Sequence, residues 1–136
     1  MKYEKRIQAK LLQMHGYLTE LNKWLPSKNK YLHDGLTRRA CEKTIQLAIE
    51  CVLDICAIIV SEEKLGLPTS EENLIRLLSE KKIISLILAK KIQSMKSFRN
   101  ILVHRYEEVD NTLAYEFLAK NLLDFSYFEK EIKKSL

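Results

Sequence analysis

The stretch from Leu36 to Val60 constrains the fold most, because it is rich in apolar residues and contains neither glycine nor proline. At the helical repeat, its apolar side chains form two adjoining stripes. One stripe comprises Leu36, Ala40, Leu47, Cys51, Ile55 and Ile58, and the other comprises Ile45, Ala48, Val52 and Ile59. Such a wide apolar surface predicts a central helix with neighbours on both sides.

Asp54 interrupts this apolar surface. A buried carboxylate is rarely left unpaired, because removing a charge from water without a partner is costly. We therefore regard Asp54 and Glu50 as candidates to meet an arginine, and Arg99 is a candidate partner.

One helix is predicted before this stretch and another after it. Alternating steps of four and three residues define a first helix that ends at about Trp24 and carries Ile7, Leu11, Met14, Leu18, Leu21 and Leu25. Residues 26–35 are predicted to be a loop that includes a solvated His33. Beyond a connection over residues 62–69, Thr69 and Glu72 predict a capping box. The short helix that begins there is predicted to carry Leu74, Leu77 and Leu78 inward and to end near Lys81 or Lys82.

Two more helices complete the chain. The fourth is predicted to start near Ile84, and its inward stripe is Leu88, Ile92, Met95, Arg99, Leu102 and Tyr106. Asp110 is the predicted N-cap of the last helix, which carries Leu113, Leu118, Leu122, Phe125, Phe128 and Ile132. Short connections favour antiparallel neighbours. We therefore predict an all-α fold, an up-and-down four-helix bundle with one short additional helix, as a single domain over residues 1–136.

Composition excludes several classes of protein. The three cysteines show no C-x-x-C spacing and are interpreted as small buried hydrophobes in a reducing, cytoplasmic setting. Three histidines without Glu-x-x-His or His-x-x-x-His spacing argue against a metal centre, and we expect no cofactor. We also expect no signal peptide and no membrane span. A net charge of +5 modestly favours binding of anions such as RNA.

The segment from Arg99 to Tyr106 concentrates the reactive side chains: Arg99, Asn100, His104, Arg105 and Tyr106. Arginine presents a planar fork of donors suited to phosphate, and histidine titrates near neutral pH. This combination favours phosphodiester chemistry. By composition and spacing alone, however, Arg99 could equally pair with a buried carboxylate, His104 could be a hydrogen-bonded residue at a helix end, and Tyr106 could belong to the core.

Helix geometry separates the two principal residues. At 100° per residue, His104 lies about 140° around a continuous helix from Arg99. Either the helix ends or bends between them, or a second copy of the chain completes the site across a two-fold axis. We favour the second arrangement, because a symmetric interface brings both copies of one patch together.

The spacing Arg-x4-His-x-Tyr resembles the signature of the HEPN superfamily, and within it of the HepT-like toxins. The run from Arg38 to Glu42, leading on to Glu50 and Asp54, also resembles the second helix of these proteins. The resemblance implies a metal-independent ribonuclease that acts as a homodimer. It places Arg99 and His104 in the catalytic positions, and we add Asn100, Arg105 and Asp54 as supporting residues. In the family, the tyrosine at the position of Tyr106 receives AMP from a cognate minimal nucleotidyltransferase antitoxin of the MntA type.

Under this hypothesis, His104 acts as general acid and base and Arg99 binds the phosphate of an RNA substrate. The main alternative is a non-catalytic HEPN-like partner or substrate-binding subunit of a nucleotidyltransferase. A weaker alternative is a plain dimeric scaffold, which predicts that Arg99 and His104 are both held in ordinary salt bridges.

Overall fold

The computed structural model of the chain describes residues 3–104 and 109–136. These residues form α-helices and no β-strand. The helices are α1 (Glu4–Trp24), α2 (Lys28–His33), α3 (Gly35–Glu62), α4 (Glu71–Glu80), α5 (Leu86–His104), α6 (Asn111–Lys120) and α7 (Leu123–Ser135). The predicted all-α class is confirmed, although the described residues form more helices than the sequence predicted.

Helix α3 is the centre of the fold. Its buried residues run from Cys41 to Val60 around most of its circumference. Most members of the predicted stripes are buried, but Leu36 and Ala40 at the start are exposed, and Leu47 and Ile58 are half-buried. Among the described helices, α3 alone is long and apolar enough to span a membrane, but 61% of its most apolar 18-residue window is buried in the fold. The packing of the neighbouring helices therefore accounts for its apolar surface.

Helix α1 runs antiparallel to α3, and polar pairs mark the seam. Arg6 meets Glu62 at 2.9 Å, and Lys10 meets Asp54 at 3.0 Å. The expected pairing of Asp54 with an arginine is therefore wrong. Asp54 lies at the edge of the α1–α3 seam, where its side chain is 53% exposed and solvent reduces the cost of its charge.

Two predictions about the first half of the chain need correction. The region predicted to be a loop contains α2, because Ser27 caps its first turn by accepting a hydrogen bond from the Lys30 N–H at 3.2 Å. The predicted capping box of α4 is one residue out of register. Ser70 accepts from the Asn73 N–H at 3.0 Å, and the Asn73 side chain accepts in return from the Thr69 N–H at 3.1 Å.

Helix α5 is fixed at its start by α7. The Glu131 carboxylate accepts hydrogen bonds from the backbone N–H and the hydroxyl of Ser85, the residue before α5. Farther along, Lys91 meets Asp124 at 2.8 Å, so the two helices are antiparallel. The predicted inward stripe is confirmed for its apolar members among the described residues, Leu88, Ile92, Met95 and Leu102.

The predicted last helix is divided into α6 and α7. Asp110 is confirmed as the N-cap of α6, but the helix breaks after Lys120, and Leu113 is 64% exposed. The break lets α6 pack on α2, where the Tyr115 hydroxyl donates to the Pro26 carbonyl at 2.8 Å and its ring lies 5.2 Å from that of Tyr31. Helix α7 is then free to pack on α5.

The three cysteines are buried and free, as predicted. Burial raises the pKa of all three thiols, and that of Cys56 to about 12. They act as small apolar side chains of α3.

Glu42 is a buried carboxylate on α3, only 8% exposed. The Tyr31 hydroxyl donates to it at 3.4 Å, and the Arg38 guanidinium lies 3.9 Å away. Arg38 also donates to the carbonyls of Tyr31 and Leu32 at the end of α2. Burial raises the pKa of Glu42, although Arg38 opposes the shift.

Gly16→Ala should stabilise the protein. Gly16 is exposed in the interior of α1, and an added Cβ would meet no atom within 4 Å. Alanine restricts the unfolded chain and favours the helix, so the free energy of unfolding should rise by about 0.5–1 kcal/mol in urea denaturation.

Gly66→Ala is the matched control, because Gly66 has a φ of +145°, which L residues rarely adopt. This substitution should destabilise the protein by about 1–3 kcal/mol. A stabilising effect at Gly66, or a destabilising one at Gly16, would contradict the described backbone.

Glu42→Gln should alter how stability depends on pH. Burial raises the pKa of Glu42 in the folded protein above its value in the unfolded chain. Between these two pKa values, the carboxyl is protonated in the folded protein and ionised in the unfolded chain. The contribution of Glu42 to the free energy of unfolding is therefore intact below the unfolded-state pKa of about 4.3, and it is lost as pH rises through the folded-state pKa. The stability of Glu42→Gln relative to wild type should increase over that window in denaturation series at several pH values. A constant difference would contradict the assignment, and Glu80→Gln, at an exposed position, supplies the control for loss of charge.

Candidate functional site

The candidate site lies at the end of α5. One helix spans both Arg99 and His104, which excludes the arrangement in which the helix ends between them. Asn100 lies on the same helix. The predicted site residues Arg105 and Tyr106 fall outside the described residues.

Arg99 is held between α5 and α4. Its Nε donates to the Asn100 side-chain oxygen at 3.0 Å, and its Nη2 donates to the Glu71 carboxylate. The Arg99 side chain is 12% exposed, whereas that of Glu71 is 41% exposed. The expected pairing of Arg99 with Asp54 or Glu50 is therefore wrong, since Asp54 meets Lys10 and Glu50 accepts a hydrogen bond from Gln46.

Two nitrogens of the Arg99 guanidinium contact protein oxygens within the described residues. Nε and Nη2 form the edge that contacts Asn100 and Glu71. No residue in the described ranges accepts a hydrogen bond from Nη1. Binding of a second acceptor group, such as a phosphate, at Nη1 would leave both of these protein contacts intact.

Glu71 is the residue of this site that the sequence did not reveal. It is the first residue of α4, where a carboxylate is favoured by the helix dipole whatever lies nearby. An acidic residue in a first turn is therefore a weak signal, and only the packing of α4 against α5 places Glu71 beside Arg99.

His104 is the last residue of α5 and is exposed. No residue within the described part of the chain forms a hydrogen bond with its imidazole. On the same face of α5 lie Ser94, Ser97 and Ile101, and all three are exposed in the single chain.

Two contacts fix the end of α5 that carries Arg99. Phe98 stacks on Phe117 of α6 with ring centroids 4.1 Å apart, and Gln93 donates to the Glu72 carbonyl at 3.3 Å. The end of α5 is thus held by both α4 and α6.

The lysines of α5 contribute unequally to the surface charge. Lys91 is paired with Asp124, and its ammonium lies 5.4 Å from the centre of the Tyr127 ring. Lys90 is exposed and Lys96 is half-buried, so these two extend the positive surface along α5. Within residues 3–104 and 109–136, no group of three His, Cys, Asp or Glu residues is placed to hold a metal ion.

Comparison with solved structures shows a common fold. A tri-AMPylated Shewanella oneidensis HEPN toxin in complex with MNT antitoxin is 23% identical, with a TM-score of 0.88 over 94% of this chain and 96% of that chain. A tyrosine-to-alanine mutant of an MntA–HpeT toxin–antitoxin complex is 22% identical, with a TM-score of 0.87 over 94% and 98% of the two chains. YutE of Bacillus subtilis, described as a cytosolic protein of unknown function, is 18% identical, with a TM-score of 0.75 over 93% and 88%. The helices therefore form the HEPN fold.

Sequence comparison shows the family. No curated protein matches the chain significantly. The family described as "Ribonuclease HepT-like" matches residues 14–132, which extends well beyond the segment that carries the Arg-x4-His-x-Tyr motif. The resemblance inferred from that motif is confirmed, and the chain belongs to the HepT-like ribonuclease family.

Proposed function

We propose that this protein is a metal-independent endoribonuclease toxin, held in check by a cognate nucleotidyltransferase antitoxin in the cytoplasm. The observation that carries the proposal is the presence, on one helix of a HepT-like ribonuclease, of an exposed His104 and of an Arg99 whose Nη1 forms no hydrogen bond with the described residues. The similar structures that contain toxin–antitoxin complexes support the assignment of a partner.

The active species is proposed to be a homodimer. Arg99 and His104 lie about 140° apart around α5, so one copy cannot easily direct both at one small phosphate. The exposed face of α5 that carries Ser94, Ser97, Ile101 and His104 offers small and apolar side chains for a second copy. A two-fold axis through this face would bring two histidines and two arginines to one cleft.

In the proposed mechanism, His104 of one subunit removes the proton from a ribose 2′-hydroxyl, and the 2′-oxygen attacks the adjacent phosphorus. Arg99 binds the non-bridging oxygens and stabilises the negative charge that develops on them. His104 of the other subunit protonates the 5′-oxygen as its bond to phosphorus breaks. The products are a 2′,3′-cyclic phosphate and a free 5′-hydroxyl.

Transfer of AMP to Tyr106 is the proposed means of control. Tyr106 is two residues beyond His104 in the sequence. An added nucleotide would place negative charge and bulk beside a cleft that receives RNA phosphate, so repulsion and steric blockage would both inhibit cleavage. The AMPylated toxin among the similar structures supports this proposal.

The alternative is a non-catalytic HEPN-like partner of a nucleotidyltransferase. The Arg99–Glu71 ion pair favours it, because an arginine already paired with a carboxylate can have a purely structural role. The exposure of His104 favours the enzyme, since a general acid and base must reach the substrate, whereas a structural role gives no reason for an exposed imidazole at this position.

The first test is RNA cleavage by the purified protein in excess EDTA. Wild type should produce ends with 2′,3′-cyclic phosphate, and His104→Ala should lower the rate at least about 100-fold because it removes the general acid and base. His15→Ala is the matched control, because His15 is an exposed histidine on α1. Its rate should equal that of wild type. Absence of cleavage by wild type across several RNA pools would favour the non-catalytic partner.

The second test addresses Tyr106. Incubation with ATP and a nucleotidyltransferase of the MntA type should add AMP to the wild-type protein and abolish cleavage, as followed by intact-protein mass spectrometry and RNA assay. Tyr106→Phe should cleave RNA but resist both modification and inhibition. Tyr127→Phe, at an exposed tyrosine of α7, should behave as wild type. Modification of Tyr106→Phe to the wild-type extent would exclude Tyr106 as the acceptor.

A further inference from the structure

We propose that Glu71 is a positioning residue for Arg99, and that together with Asn100 it orients the guanidinium so that its Nη1 edge faces the RNA phosphate. The inference rests on the proposed ribonuclease function. It assigns a role in that reaction to α4, which lies outside the Arg-x4-His-x-Tyr segment.

Two hydrogen bonds set the orientation of the Arg99 guanidinium. Free arginine side chains sample many rotamers, and a planar fork is effective only when its plane and edge are set before the phosphate arrives. Asn100 fixes Nε at 3.0 Å, and Glu71 fixes Nη2, so two acceptors define the plane of the guanidinium. Asn100 alone would leave the group able to rotate about that single contact.

Glu71 is itself held in place by the turn in which it lies. It begins α4 immediately after the N-cap Ser70, and the Ser70–Asn73 hydrogen bond fixes this turn. Leu74, Ile75 and Leu78, three, four and seven residues after Glu71, are buried on the same side of α4 and fix its packing. The Gln93 hydrogen bond to the Glu72 carbonyl then ties this turn to α5. Glu71 is therefore held relative to the helix that carries Arg99.

The charge of Glu71 determines which kinetic constant should change when the residue is removed. A carboxylate beside Arg99 reduces the attraction of the guanidinium for any polyanion, so Glu71 does not strengthen ground-state binding of RNA. Its contribution should appear in the transition state, where orientation toward the non-bridging oxygens matters most. The two effects predict a lower kcat without a higher KM when Glu71 is removed.

The test compares Glu71→Ala, Glu71→Gln and the matched control Glu72→Ala. Glu72 lies in the same helical turn, is 63% exposed, and contacts only Arg76 at 3.9 Å through its side chain within the described residues. Glu71→Ala should lower kcat about tenfold, as expected for a misplaced catalytic group, with KM unchanged or reduced. Glu71→Gln keeps an acceptor oxygen and should recover most of kcat, and Glu72→Ala should match wild type.

A second readout does not depend on how much of each protein is folded. Substrates with a single Rp or Sp phosphorothioate at the cleaved bond report which non-bridging oxygen the guanidinium contacts, and the ratio of their rates cancels the active fraction. Wild type should prefer one diastereomer, and Glu71→Ala should reduce that preference while Glu72→Ala retains it. Equal cleavage of both diastereomers by wild type, or an unchanged preference in Glu71→Ala, would overturn the role of Glu71 and leave the ribonuclease function intact. A wild type that cleaves no RNA would refute the proposed function and this inference with it.

Discussion

The burial of α3 is the constraint on which the rest of the structure depends. Apolar side chains cover most of its circumference, so it is stable in water only when other helices surround it. Helix α1 covers one side with the polar pairs at its edge, and α4 and α5 cover others. The position of the Arg99 end of α5 is therefore a consequence of how α3 is covered.

The candidate site is assembled from separate elements around this centre. Arg99 and His104 come from α5, but Arg99 contacts Glu71 of α4, and Phe98 near the end of α5 stacks on Phe117 of α6. None of these contacts is local in sequence. The reactive residues sit in one short motif, whereas the groups that hold them in place are distributed over the fold.

Local periodicity was sufficient to predict the end of α1, the central position of α3, the inward stripe of α5 and the cap at Asp110, because each depends on neighbouring residues of one helix. The partner of Arg99 could not be predicted in this way. Periodicity shows which face of a helix points inward, but not which residue of another helix lies opposite. The same limit explains the missed break between α6 and α7, which is set by packing on α2 and α5.

The burial of all three cysteines has a consequence for the redox chemistry of the protein. Cys41, Cys51 and Cys56 are each at most 3% exposed, and their raised pKa values keep the thiols protonated. Peroxide reacts with accessible thiolates, which this fold does not present. Oxidation of any of the three cysteines should therefore require the fold to open first.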